Sequence, residues 1–365
     1  MESVLVGISG GVDSSVAALL FVRQGLRTAG CFNLFYETER SRAEMESARK
    51  VCSHLGIPFL VADVREDFRK EVIQQFMDAY MHGRTPNPCC VCNPLVKWKG
   101  LMNVMQAEGC ERVATGHYAL SGHDAGRHYV QRADNVRKDQ SYALYGLSQE
   151  EIACTLFPLG RLPKEEVRKM AEEAGLLTAE KSDSQDICFI PDGDYVGFIR
   201  KHLHLLDDAQ REEAERICWD RPGNYADENG RVLGSHQGIA NYTVGQRKGL
   251  GIALGKRTFV KEIRPLENLV VLADNEALFT DRVYIEKVNF QAAQPFSDES
   301  SSIGGISRIR YSDAGAPAIL KKAPEAGAFC LEFSKPVRAA APGQAAVLYD
   351  GDGRILAGGI IRHGV

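Results

Sequence analysis

Val4-Leu5-Val6-Gly7-Ile8-Ser9-Gly10-Gly11-Val12-Asp13-Ser14-Ser15 sets an apolar run, a glycine turn and the polar opening of a helix in direct succession. Residues 4–8 are apolar and partly β-branched, which reads as a buried strand. Residues 14–24 put Val16, Leu19, Leu20 and Arg23 at helical spacing before Gly25 stops the helix. The turn between them carries chemistry. Gly10 and Gly11 let backbone N–H groups approach an anion closely, and the following helix points its positive dipole end at the same place. Asp13 is suited to orienting the turn or helping to hold Mg²⁺, and Ser9, Ser14 and Ser15 offer hydroxyls to phosphate or cap the helix. A Gly-Gly pair alone is usually a plain turn. Here it follows a strand, opens a helix and lies at the first βα crossover, where open parallel sheets bind ligands, so it reads as a phosphate loop. No G-x-x-x-x-G-K-S/T string occurs, which excludes the P-loop kinases and motor NTPases.

Outward from the loop the alternation continues. Residues 28–34, 59–62 and 112–115 are strand candidates, and residues 42–55, 66–81 and 97–108 are helix candidates. Strands separated by helices of this length imply a parallel sheet covered on both faces. That is a doubly wound, Rossmann-like α/β domain, placed at 1–205. One more charged helix follows at 207–217. Beyond it come turn signals at Glu228-Asn229-Gly230, Pro265 with Asn268, Asp350-Gly351 and Asp352-Gly353. These predict two small β-rich or β-barrel domains, 206–280 and 281–365, with the Ser/Gly-rich stretch 297–305 as a loop or linker.

At 365 residues the chain suits two or three domains, and 44% hydrophobic with 25% charged residues is ordinary globular composition. No apolar run is long enough for a bilayer and no secretion leader is apparent, so a cytoplasmic protein without a membrane partner is expected. Ten cysteines then read as reduced thiols rather than a disulfide framework. Net charge is −4, divided as −3 over residues 1–205 and −1 over the rest, so neither part is a basic domain. Any RNA contact must use a local patch. Arg247, Lys248, Lys256 and Arg257 form the densest basic group outside the N-terminal half. They flank Gly249-Leu250-Gly251, which no helix follows, so that stretch is a hairpin or loop and not a second nucleotide site.

Two cysteine segments stand apart. In Gly83-Arg84-Thr85-Pro86-Asn87-Pro88-Cys89-Cys90-Val91-Cys92-Asn93, the prolines, glycine and asparagines predict a loop presenting Cys89 and Cys92 at C-x-x-C spacing. Asp183-Ser184-Gln185-Asp186-Ile187-Cys188-Phe189-Ile190 predicts a polar loop entering a strand-like run. Cys31, Cys52, Cys110, Cys154, Cys218 and Cys330 read as small buried apolar residues, and the extra thiol Cys90 has no assigned role. One C-x-x-C without a second pair does not make a structural zinc site, which wants four ligands. A reactive pair fits better: one thiol carries sulfur as a persulfide and another releases it.

The loop at residues 9–14 resembles the signature of the N-type ATP pyrophosphatases, which cleave ATP between the α and β phosphates. Together with it, the cysteine segments closely resemble the tRNA-specific 2-thiouridylases of the MnmA type. T-P-N-P-x-x-x-C-N stands at 85–93, A-T-G-H-Y at 114–118, K-D-Q-S-Y at 138–142 and D-S-x-x-I-C-F at 183–189. T-x-G-Q-R-K-G-L-G follows at 243–251, then Arg310-Tyr311 and Pro342-Gly343-Gln344, so the ordered matches cover essentially the whole chain.

The resemblance implies a function and a set of roles. It implies ATP-dependent thiolation of the wobble uridine 34 of tRNA at C2, through adenylation of its oxygen. Gly7, Ile8, Ser9, Gly10, Gly11, Val12, Asp13 and Ser14 would bind ATP with Mg²⁺, with Asn33 and Gly116 near adenine and ribose. Cys188 would carry the persulfide and Cys92 would be its partner nucleophile. Asn87, Pro88 and Cys89 would lie against the target base. His117, Lys138, Asp139, Gln140, Arg310, Tyr311 and Gln344 would contact the tRNA, and a sulfur-donor protein fed by a cysteine desulfurase would load the site. Some family members carry aspartate where this chain has Cys89. With cysteine there, Cys89, Cys92 and Cys188 could instead hold a 4Fe–4S cluster, and the sequence leaves persulfide and cluster both open. Two rival functions also remain: an ATP-pyrophosphatase ligase acting on a small metabolite, and a non-enzymatic RNA-binding protein gated by ATP.

Overall fold

The computed structural model describes residues 2–179 and 187–364. Strands β1 (Ser3–Gly7), β2 (Arg27–Leu34), β3 (Phe59–Asp63) and β4 (Arg112–Thr115) pair in parallel; the hairpin β5 (Ala119–Asp124) and β6 (Arg127–Arg132) stands apart, and β7 (Thr155–Leu156) completes the sheet. The order is β3-β2-β1-β4-β7, with β1 inside the sheet and the loop at its C-terminal end. Val4, Leu5 and Val6 have no exposed surface. Leu5 packs into one apolar cluster, while Val4 and Val6 pack into another on the opposite face. A strand covered on both sides needs this uninterrupted run, and each such side chain contributes roughly 1.5–3 kcal/mol of burial. The doubly wound domain is as expected.

Strands β8 (Gly223–Ala226), β9 (Val232–His236), β10 (Phe259–Arg264) and β11 (Leu269–Ala273) form a four-stranded sheet in the order β10-β11-β8-β9. Then β12 (Phe279–Phe290), β13 (Ser302–Arg308), β14 (Ala316–Lys322), β15 (Phe329–Arg338), β16 (Ala345–Tyr349) and β17 (Ile355–Gly364) close a six-stranded barrel. The barrel is bolted to the α/β domain. Ala345, Val347, Tyr349 and Ile355 share an apolar cluster with Tyr142, Leu144 and Leu147. Gln291, fully buried, accepts Val130 N–H at 2.9 Å and donates to the Leu144 and Tyr145 carbonyls at 3.0 Å each. Among the described residues no helix is long and apolar enough to cross a membrane.

Three local expectations change. The Ser/Gly-rich stretch contains a strand, since β13 starts at Ser302 and pairs with β14 and β16. Glycine is needed there: a Cβ on Gly305 would stand 2.4 Å from the Tyr349 carbonyl oxygen. The cysteine pair lies on a helix, Pro88–Cys92, because Asn87 caps it through Cys89 N–H at 3.1 Å and Pro88 occupies the first turn. Residues 187–190 form a turn and not a strand; residues 180–186, with the first four of the D-S-x-x-I-C-F string, lie outside the described residues.

His82 ties the helix Gln75–Met81 to the helix Asp208–Ile217, with Asp78 at 3.2 Å and Glu213 at 3.3 Å. The hydrogen bond to Asp78 outweighs burial and raises its pKa to about 9. A raised pKa gives stability that is complete below pH 6.5 and lost as pH climbs through 9. The melting temperature should therefore fall between pH 6.5 and 9.5, by an amount matching roughly 1–3 kcal/mol, and His82→Gln should flatten that fall. Equal slopes in the two proteins would refute the tie.

Candidate active site

The glycine turn, the cysteine helix and the Cys188 turn open onto one cleft of about 1100 Å³. Its floor is the loop. Gly10 takes φ +75°, and a Cβ there would lie 2.5 Å from the Glu44 carbonyl oxygen, so only glycine fits. Ser14 Oγ accepts Ser9 N–H at 3.1 Å and donates to the Gly11 carbonyl at 3.1 Å, while Ser15 Oγ donates to the same carbonyl at 2.8 Å. These hydroxyls shape the turn, and no side chain caps the helix Val12–Arg23. Its leading N–H groups are left facing the cleft, the arrangement that binds anions.

Asp13 is held firmly. Lys164 donates to both carboxylate oxygens at 2.7 and 2.8 Å, and Tyr118 Oη donates to one of them at 2.9 Å. Lys164 and Tyr118 thus engage both Asp13 oxygens. Among the described residues no three His, Cys, Asp or Glu side chains gather as a metal-holding set, Cys89, Cys92 and Cys188 included. The donor arrangement of the three thiols therefore does not fit a cluster.

Cys89 and Cys92 sit three apart on the helix and share its cleft face, whereas Cys90 turns into the core beside Trp98 and Tyr142. That burial assigns Cys90 to packing. The chain then runs as a π-helix over Asn93–Trp98, whose i,i+5 period brings Lys97 onto the same cleft as Cys92. Across it, Tyr36 Oη donates to the Cys188 carbonyl at 2.8 Å, and Phe189 packs edge-on against Phe68 and Phe76 with centroids 5.6 and 5.3 Å away. Cys188 is thus presented on an anchored turn. Its thiol is open to the cleft, yet crowding by protein raises its pKa to about 11. Burial likewise pushes Cys92 up to about 12, against the opposing charge of Lys97. Both are protonated thiols at neutral pH.

The whole loop from Gly7 to Ser14, Asn33, Pro88, Cys89, Cys92, Gly116, His117, Lys138, Gln140, Cys188 and Tyr311 line the cleft. Burial holds His117 neutral, and its Nδ1 lies 2.9 Å from Thr115 Oγ1. Asn87, Asp139, Arg310 and Gln344 stand elsewhere. Asn87 caps its helix, and Arg310 donates to the Arg338 and Ala339 carbonyls. Gln344 donates to the Thr85 carbonyl at 2.9 Å, fastening the barrel to the segment that leads into the cysteine helix. The Asp139 side chain is buried, 3.3 Å from Arg132 and 3.1 Å from Arg308 of the barrel, while its neighbours Lys138 and Gln140 line the cleft. Sequence reasoning missed Tyr36, Lys97 and Lys164. Only the π-turn and the tertiary packing bring them in.

A nucleotide-type α/β sheet, an uncapped helix N-terminus at its first crossover and thiols facing that loop define an enzyme that activates its substrate with a nucleotide and works on it with sulfur. Residues 2–192 match the family model described as a tRNA methyl transferase HUP domain. Residues 214–274 match its PRC-barrel domain and 280–361 an aminomethyltransferase beta-barrel domain. The tRNA-specific 2-thiouridylase MnmA of Lachnoclostridium phytofermentans is 41% identical over 99% of this chain and 100% of its own length. Those of Amoebophilus asiaticus and Clostridioides difficile are each 39% identical, over 98% and 99% of this chain and 95% and 98% of their own. The chain belongs to the tRNA-specific 2-thiouridylase family of the MnmA type.

Proposed function

We propose that this protein is an ATP-dependent tRNA sulfurtransferase that converts the wobble uridine 34 to 2-thiouridine. The observation that carries the reading is one cleft holding the phosphate loop at its floor with Cys92 and Cys188 on its walls. The family-model descriptions speak of methyl transfer; paired thiols beside a nucleotide loop are the apparatus of sulfur transfer.

The uridine is splayed out of the anticodon loop into the cleft, as single-stranded bases are for recognition and chemistry. Its O2 attacks the α phosphorus of MgATP, the α–β bond breaks, and pyrophosphate leaves on the loop. The terminal sulfur of a Cys188 persulfide then attacks C2. Cys92 Sγ, after losing its proton, attacks the Cys188 sulfur; the S–S bond breaks, its electron pair returns to the sulfur on C2, and the C2–O bond to AMP breaks. The products are 2-thiouridine, AMP and a Cys92–Cys188 disulfide, which an external thiol reduces before a sulfur-donor protein, fed by a cysteine desulfurase, reloads Cys188. Lys138, Gln140 and the half-exposed Tyr311 supply charge, hydrogen bonds and a stacking face for RNA. We assign ATP chemistry to 1–205, a connecting role to 206–280 and RNA contact to 281–365, and place the protein in the cytoplasm.

Purified protein with ATP, Mg²⁺, a cysteine desulfurase with cysteine as persulfide donor, a thiol reductant and unmodified tRNA should yield 2-thiouridine by nucleoside mass spectrometry. Pyrophosphate release without any sulfur-containing uridine would sink the proposal.

A further inference from the structure

The phosphate loop contains no lysine, yet an ammonium lies against it. Lys164 comes from 151 residues further along the chain, at the first position of the helix Lys164–Glu173. A cation at a helix N-terminus opposes the helix dipole, and burying one costs more. Lys164 does both, with only 5% of its surface exposed. The fold holds it there. Val167 and Ala171 of its helix share an apolar cluster with Val16 and Ala17 of the loop's helix, so the two helices move as one body. Its Nζ reaches both Asp13 oxygens and lies 5.7 Å from the centre of the Tyr118 ring, whose hydroxyl donates to Asp13 as well. A breach of a local rule, repaired by specific tertiary contacts, marks a site under functional demand.

The chemistry of that demand is electrostatic. Pyrophosphate and the β and γ phosphates of ATP are strongly anionic, and Asp13 stands in the turn that would receive them. An uncompensated carboxylate there would repel them across a few ångströms of partly desolvated space. We propose that Lys164 is the positioning residue of the pyrophosphate site, neutralising Asp13 and fixing the loop's first helical turn so that it accepts the departing pyrophosphate. The inference rests on the adenylation reading, and it separates the two ends of the nucleotide: the pyrophosphate end depends on Lys164, the AMP end does not.

Equilibrium binding of inorganic pyrophosphate and of AMP to the full chain, measured separately by calorimetry, tests this. Lys164→Met should weaken pyrophosphate at least about tenfold and leave AMP within about twofold; Lys164→Arg should recover most of the loss. Equal weakening of both ligands, or of neither, overturns the inference, because a merely loosened fold does not choose between them. Should Lys164→Met fail to fold with Asp13 left unpaired, Lys164→Met with Asp13→Asn removes both charges. Asp13→Asn alone, which keeps the cation without the carboxylate, should then bind pyrophosphate more tightly than the double variant, with AMP unchanged in both; equal pyrophosphate affinity in the two overturns the inference. A parent chain that shows the pyrophosphate and AMP behaviour but makes no 2-thiouridine defeats the thiolation reading alone.

Discussion

Serine in place of Cys188 is expected to abolish 2-thiouridine formation, by at least about a thousandfold, while tRNA-dependent pyrophosphate release persists. Serine is nearly isosteric and cannot carry a persulfide. The turn that presents it is fastened through the Cys188 carbonyl and the Phe189 ring, neither of which the substitution touches. Loss of sulfur transfer would therefore report chemistry rather than collapse. The other cysteines should separate cleanly. Pre-loaded with persulfide and assayed without reductant, Cys92→Ser should attack C2 but stall before release, leaving a disulfide-linked protein–tRNA adduct that a reductant dissolves. Cys90→Ser, buried beside Trp98, should cost stability and little activity. Cys89→Ser should remain active with the same persulfide donor, since the persulfide route gives Cys89 no sulfur to carry. Labelled pyrophosphate and nucleoside mass spectrometry on the same reactions measure all four. Thiolation that survives Cys188→Ser would refute the persulfide assignment.

How far the sequence could be read depended on whether the deciding contact was local. The phosphate loop was legible because strand, glycine turn and helix lie within a dozen residues and the required geometry is encoded next to itself. The cysteine pair was legible as a pair but not as a helix. Pro86 and Pro88 look like loop punctuation, although proline at the first turn behind an asparagine cap starts a helix. Lys97 could not be placed by any α-helical wheel, since five residues after Cys92 it belongs on another face; the π-turn alone brings the two together. Lys164 gave no local sign, because its partner Asp13 is reached only through tertiary packing. The matched strings also contain residues of the domain seam. Within 138–142, Asp139 and Ser141 fasten the barrel through Arg308 and Tyr349, and Gln344 does the same through Thr85. A string shared across a family marks a shared requirement, and at these positions the described contacts are those of a domain seam.

Alanine at Gly116 is expected to lower kcat/KM for ATP about a hundredfold, although one methyl group is all that is added. The resemblance set Gly116 beside adenine and ribose. Its Cα abuts the phosphate loop, where a Cβ would stand 2.6 Å from Ser14 N, 2.7 Å from the Asp13 carbonyl carbon and 3.0 Å from Ser14 Cα. All three are backbone atoms at the start of the helix Val12–Arg23, so no side-chain rotation relieves the clash. The helix N-terminus must retreat by most of an ångström, and a displacement of that size at a binding loop costs on the order of a hundredfold. Overpacking should also lower stability by about 1–3 kcal/mol. Backbone strain is not the cause, since Gly116 is not among the glycines with positive φ. Gly304→Ala supplies the control, because nothing lies within 4 Å of a Cβ there and neither activity nor melting temperature should change. Steady-state kinetics at varied ATP, with melting curves for both variants, decide the matter. A Gly116→Ala enzyme with the parental kcat/KM for ATP would mean that the loop yields without loss, and a yielding loop could not hold the pyrophosphate in place as adenylation requires.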